Sequence, residues 1–282
     1  MKRAMSSLKP PEPVIVVDLF PELLDGLTAL LTGLSAADWK APTACPGWSV
    51  HDAALHLLGV EIGNLSGRRD SHRLGENIDG WDELVAFLNH WNEEWVRVAR
   101  RISPPLLVDL LRLTGDQMNA YFRTLDPHAL GGAVSWAGDG PAPVWLDLAR
   151  EYTERWHHQQ HIRDAVGKPG FKEPRFFAPV LAAFARALPR AFEPVAAPDG
   201  TSVTLTISGD SGGRWSVVRQ AGAWVLYAGA PAAPSAGVTL DEDVAWRLFT
   251  RGLTAQEARG RAALEGDRDL CLRAFEMVSI IA

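Results

Sequence analysis

Glu154, His158 and His161 lie in the segment Glu-Tyr-Thr-Glu-Arg-Trp-His-His-Gln-Gln-His (151–161), whose pattern reads as helix. At 100° per residue these three side chains fall within an arc of about 60° on one helical face. A carboxylate and two imidazoles converging on one face can hold a divalent metal. A second segment, Cys-Pro-Gly-Trp-Ser-Val-His-Asp-Ala-Ala-Leu-His (45–56), offers His56 on a separate helix. Two histidines and one carboxylate, with a position left for water or substrate, make a common catalytic zinc set. The opposing reading is that the polar face is merely solvated. Trp145, Leu148, Ala149, Tyr152 and Trp156 form an apolar stripe on the other side, while Asp147, Arg150 and Glu151 share the Glu154 face. By periodicity that face could point to water. The metal reading requires it to line a wet groove inside a helical bundle.

The elements that must position these residues follow from hydrophobic period and punctuation. Residues 1–12 read as a loose tail, and apolar residues between Val16 and Leu31 recur at near-helical spacing. Ser49-Val-His-Asp52 reads as a capping box with Asp in place of Glu, opening a helix to about Arg68. On that helix Gly59, Gly63 and Gly67 recur every four residues. Glycine inside a helix costs up to ~1 kcal/mol relative to alanine, so either a neighbour packs close or space is left beside His56. Further helices are expected over 79–101 and 104–125, then a Gly/Pro/Asp-rich loop over 126–143. The helix carrying Glu154 runs from about Val144 to Gly167, and another covers 174–193. Alternating segments around Val203–Ile207, Trp215–Arg219, Trp224–Leu226 and Val238–Leu240 read as strands, and helices over 241–251 and 267–279 close the chain. The fold expected is α+β, with a helical bundle over 1–170 and a smaller α+β domain over 171–282.

Bulk composition narrows the functional classes. The chain has 282 residues, is 47% hydrophobic and 22% charged, and carries a net charge of −6, an ordinary globular profile. No basic cluster suggests a nucleic-acid partner. No apolar run approaches the ~20 residues needed to span a bilayer, and no signal-peptide core precedes Pro10, Pro11 and Pro13. Two cysteines, Cys45 and Cys271, make no disulfide framework. A cytoplasmic, reduced protein is expected. Oligomeric state is not legible.

The wording of two segments adds a resemblance. Thr43-Ala-Cys-Pro-Gly-Trp-Ser-Val-His-Asp-Ala-Ala-Leu-His-Leu-Leu-Gly59 resembles the N-terminal signature of the mycothiol-dependent maleylpyruvate isomerase family, which belongs to the DinB-like metal-binding four-helix bundles. Glu154-Arg-Trp-His-His-Gln-Gln-His-Ile-Arg-Asp-Ala-Val-Gly167 resembles that family's second signature, Glu-x-x-x-His-x-x-Asp. Gly212–Arg219, Ala245–Phe249 and Glu265–Asp267 resemble its companion domain, so the likeness runs through nearly the whole chain. It implies metal ligands at His56, Glu154 and His158. His161 stands where the family usually has Asp, and is open as a further ligand, an outer partner of the site or a substrate contact.

The resemblance also implies a low-molecular-weight thiol such as mycothiol as cosubstrate, acting on a small electrophile. A free thiol with a pKa near 8.5 is mostly protonated at pH 7, and coordination to a divalent metal deprotonates it. His/Glu ligation suits Zn2+, and also Ni2+ or Fe2+. Addition and reversal around a double bond would give isomerisation, and addition with loss of a leaving group would give S-transfer. With water in the open position the same site becomes a hydrolase. A non-catalytic metal- or ligand-binding module is the third reading. Arg214, Arg219, Arg247 and Arg251 could each clamp a substrate carboxylate or simply be solvated, and Arg247 is chosen as the catalytic candidate. Cys45 precedes a helix start, where the dipole would favour thiolate, yet such a residue is more often packed and inert. Trp48 and Trp156 could line a pocket or belong to the core.

Overall fold

The computed structural model describes residues 8–72 and 80–279. The first seven residues of the expected tail and residue 79, the expected start of the third helix, lie outside the described residues. Helices α1 (Phe20–Thr32), α2 (Val50–Asn64), α3 (Trp81–Ala99), α4 (Pro104–Phe122) and α5 (Val144–Val166) make up the N-terminal part. Then come α6 (Pro174–Phe184), α7 (Leu188–Phe192), β1 (Ser202–Ser208), β2 (Gly213–Gln220), β3 (Ala223–Ala228) and β4 (Ala236–Asp241). The chain ends with α8 (Glu242–Phe249), α9 (Ala255–Arg259), β5 (Ala263–Gly266) and α10 (Arg268–Ala274). The class is α+β.

Two compact units are distinguishable. Among the described residues, one comprises Ile15–Ala129 and Arg150–Phe171; the other comprises 8–14, Leu130–Ala149 and 172–279. The N-terminal segment and the stretch 130–149, read from the sequence with the bundle, therefore group with the sheet. The division falls within α5.

In the helical unit, α4 packs on both α1 and α2. Leu27, Leu31, Val50, Leu55, Leu58, Leu107, Leu111 and Ile162 are among the buried residues of one continuous core. The start of α2 is set as its sequence specifies. The Ser49 side chain accepts from Asp52 N, and the Asp52 carboxylate accepts from Ser49 N at 3.0 Å. The same carboxylate receives Arg100 Nε at 2.8 Å, tying α2 to the end of α3. Gly59 answers one part of the glycine question: a Cβ there would lie 2.6 Å from the Trp95 indole, whose Nε1 donates to Leu55 O at 2.7 Å. Gly63 meets nothing among the described residues. The expected helix to Arg68 is α up to Asn64 and a π turn over Leu65–Arg69.

In the sheet unit the strand order is β3-β2-β1-β4-β5, with β1 and β4 parallel and the remaining pairs antiparallel. Central β1 is buried at Val203, Thr204 and Leu205, on both of its faces. Helices α6, α7, α8 and α10 pack against the sheet. The single helix expected over 174–193 is broken into α6, a 3-10 turn and α7, at Pro189 near the start of α7. Strand β5 and helix α9 went unread because each is short, four and five residues, with no usable period.

Candidate metal centre

Helices α2 and α5 bring His56, Glu154 and His158 together. His56 Nε2 lies 2.9 Å from Glu154 Oε1, and His158 Nε2 lies 3.2 Å from the same oxygen. One potential ligand atom from each residue falls within 4.8 Å of the others. Metal–nitrogen and metal–oxygen bonds of about 2.0–2.2 Å in a tetrahedron put ligand atoms about 3.3 Å apart. The donor set and its spacing thus fit a divalent cation. The Trp48 ring packs against His56, centroids 5.1 Å apart, and Trp48 Nε1 donates to Glu93 at 2.9 Å. These contacts limit where the His56 ring can turn.

The polar face of α5 does not face open water, contrary to the periodicity reading. Every residue from Glu151 to Arg163 is buried except Glu154, whose side chain keeps 23% of its exposure. Burial acts on the charges. It is the main force pushing the His158 pKa down to about 3, helped by adjacent His157, and it lowers His157 as well. Burial works against the Glu154 carboxylate, but the attraction and hydrogen bond of His158, with the hydrogen bond of His56, hold its carboxyl well below the usual value. A neutral His158 and an ionised Glu154 are the protonation states metal ligation needs.

Cys45 joins the cluster on the far side of His158. Its Sγ lies 3.3 Å from His161 Nδ1 and 3.9 Å from His158 Nδ1. The segment Cys45-Pro46-Gly47-Trp48 sets it there. Trp48 N donates to Cys45 O at 3.1 Å, and Gly47 has φ 79°, as position three of a type II turn requires. Cys45 N donates to Thr43 Oγ1 at 3.2 Å. The expectation of a dipole-favoured thiolate is corrected: burial dominates and pushes the Cys45 thiol up to about 11. Cys45 is packed, as the other reading expected, and its sulfur faces two imidazoles. His161 points to Cys45 and the Nδ1 side of His158, with its ring edge-on to both His157 and His158. His157, which the sequence reading passed over, stacks near His158 with centroids 4.1 Å apart, and its Nδ1 is 2.9 Å from Thr153 O.

A model of the mycothiol maleylpyruvate isomerase N-terminal domain matches residues 20–163, just over half of the 282-residue chain. The chain belongs to that family. Among solved structures, the crystal structure of the mycothiol-dependent maleylpyruvate isomerase is similar at a TM-score of 0.52 and 14% identity, covering 84% of this chain and 88% of that one. A mutant of a mycothiol-dependent maleylpyruvate isomerase gives a TM-score of 0.49 at 14% identity, with 88% and 91% covered. At such identity the first likeness speaks to fold alone. No curated protein matches the chain in sequence.

In this member of the maleylpyruvate isomerase domain family the rest of α5 is held by buried charge pairing. Glu151 receives Arg155 Nη1 at 2.7 Å and Asn64 Nδ2 at 3.0 Å, and also pairs with Arg150. Burial opposes its charge, but Arg150, Arg155 and Arg68 bring its pKa down to about 2. Trp156 is core: fully buried, with Nε1 donating to Phe171 O at 2.7 Å. Arg247 lies in α8 of the sheet unit. Its Nε donates to Asp243 at 2.9 Å and its guanidinium stacks over Trp246 at 4.4 Å. Asp243 also takes Lys172 Nζ at 2.6 Å and Trp246 Nε1 at 3.0 Å.

Proposed function

We propose that this chain is a metal-dependent enzyme that uses a low-molecular-weight thiol, of the mycothiol kind, to isomerise a small electrophilic substrate or transfer sulfur to it. The observation that carries the reading is the convergence of His56, Glu154 and His158 on one point, in a chain of the mycothiol maleylpyruvate isomerase family. We take α1, α2, α4 and α5 as the four helices of a DinB-like bundle and place the enzyme in the cytoplasm. His56, Glu154 and His158 would hold the ion, with Zn2+ favoured and Ni2+ or Fe2+ allowed by the donors. A divalent cation bound there supplies the charge that keeps a thiol ionised at neutral pH.

The chain's own residues supply the rest. Burial keeps His158 neutral, so ligation through Nε2 would need only a shift of its ring proton to Nδ1 and no net proton loss. Glu154, the one partly exposed residue of its stretch, marks the side from which a thiol enters. Trp48 braces His56 and so fixes one ligand before the thiol arrives. In isomerisation the thiolate adds to one carbon of a conjugated double bond, the resulting single bond rotates, and elimination restores the double bond and releases the thiolate. Arg247 enters this reading as the group that binds a substrate carboxylate.

The test is turnover of maleylpyruvate and related unsaturated carboxylates, with and without mycothiol, for the wild type and His158→Ala. Thiol-dependent turnover that falls at least about a hundredfold in the variant, with the helical circular dichroism kept, is expected (about 3 kcal/mol of transition-state stabilisation). Turnover of esters or amides without thiol would replace the reading by a hydrolase. Tight metal binding with no turnover of any of these would leave a binding module.

A further inference from the structure

We propose that Cys45, His161 and Nδ1 of His158 form a second cation site, suited to a thiophilic divalent ion such as Zn2+, beside the His56–Glu154–His158 set. Three ligand atoms from two separate segments converge there within 4.8 Å of one another. Sulfur and nitrogen ligands of a tetrahedral zinc stand about 3.5 Å apart, given bonds of about 2.3 Å and 2.0–2.1 Å. The observed 3.3 Å and 3.9 Å from Cys45 Sγ bracket that value.

The two sets use different atoms of one shared ring. His158 turns Nε2 to Glu154 at 3.2 Å and Nδ1 to Cys45. An ion in either set takes its own nitrogen; because a neutral imidazole has one lone pair, ions in both sets at once would make His158 a bridging imidazolate, its ring proton released to solvent. The sets also differ in chemistry: His/Glu/His is a nitrogen and oxygen set, while Cys/His/His carries a soft thiolate and favours thiophilic ions more strongly. The sulfur is placed by the Cys45–Trp48 turn and by the Cys45 N to Thr43 Oγ1 bond. His161 is buried on the rigid helix α5. Cys45 itself is only partly exposed.

Cobalt reports the two sets separately. The full chain, reduced and freed of metal, is titrated with Co2+ and followed in the near-ultraviolet, where thiolate-to-cobalt charge transfer absorbs, and in the visible. The band is expected in the wild type and in His56→Ala, and its loss is expected in Cys45→Ser. His161→Ala should weaken the titration of that band at least tenfold while Cys45 remains. Cobalt bound without a thiolate band, or a band that survives Cys45→Ser, overturns the second site. Cobalt that still binds Cys45→Ser and is lost from a Cys45→Ser/His56→Ala double variant reports the first set independently. A thiolate band in a protein without thiol-dependent turnover would remove the proposed function and keep this site.

Discussion

Oε1 of Glu154 is the atom toward which both histidine Nε2 atoms point, so its charge matters more than its shape. Glu154→Gln keeps the volume and removes the charge. Metal affinity should fall by more than the ~10–100-fold typical of an outer partner, read by competition with a chromophoric chelator; an unchanged affinity would remove Glu154 from the ligand set. Glu61 allows a pH prediction. Burial raises its pKa to about 7 against an ordinary 4.5, although Arg155 at 4.0 Å and a hydrogen bond from Thr114 partly offset that. The folded protein then holds a proton that the unfolded chain releases between these values. Its contribution is fully present below pH 4.5 and is lost as pH rises through about 7. Buried neutral His158 pulls the opposite way in acid, so the difference from Glu61→Gln isolates the effect. Between pH 4.5 and 7 the wild type should lose up to about 3 kcal/mol relative to the variant, measured by urea unfolding. A constant difference would refute the assignment.

Helix α2 is shaped by what crosses it. Gly59 lets the Trp95 indole lie against the backbone, and Gly63 has open space. Adding one methyl at each should give opposite signs. Gly59→Ala is expected to cost about 1–3 kcal/mol through overpacking, despite a gain of ~1 kcal/mol in helix propensity. Gly63→Ala should be neutral or stabilising by up to ~1 kcal/mol. Urea midpoints decide this, and equal effects would mean that the indole moves aside without cost. Helix α5 departs from the usual amphipathic pattern. Its polar face is buried, and the charges there are matched by partners such as Arg155 and Asn64, as buried charge requires. A helix designed only for core packing would place leucine at these positions.

Across the whole molecule, the candidate ligands among the described residues come from α2, α5 and the turn that precedes α2, all in one unit, and none comes from the sheet. Ion binding to the folded state alone adds stability by mass action, about 4 kcal/mol at a thousandfold excess over Kd. A chelator should therefore lower the thermal midpoint by several degrees, and the shift should shrink in His56→Ala. An equal shift in that variant would place the stabilising ion elsewhere. Among the described residues no helix is long and apolar enough to cross a membrane.

Much of the local structure was legible because its causes are local. The Ser49–Asp52 cap, the helix over 144–166 and the shared face of Glu154, His158 and His161 depend on neighbours within a few residues, and helical period alone relates them. Strand β1 was legible through its alternation of Val203, Leu205 and Ile207 with small polar residues. The tertiary structure alone decided three things. It put a polar helical face in the interior, where periodicity had allowed open water, because buried partners could satisfy its charges. It aimed His161 at Cys45 and not at Glu154, since a loop 116 residues away packs on that side of the helix. It grouped residues 130–149 with the sheet, through contacts with no signature in the spacing of that loop. Residue type sets what a side chain can ligate, but only the packing of distant segments sets which atoms meet.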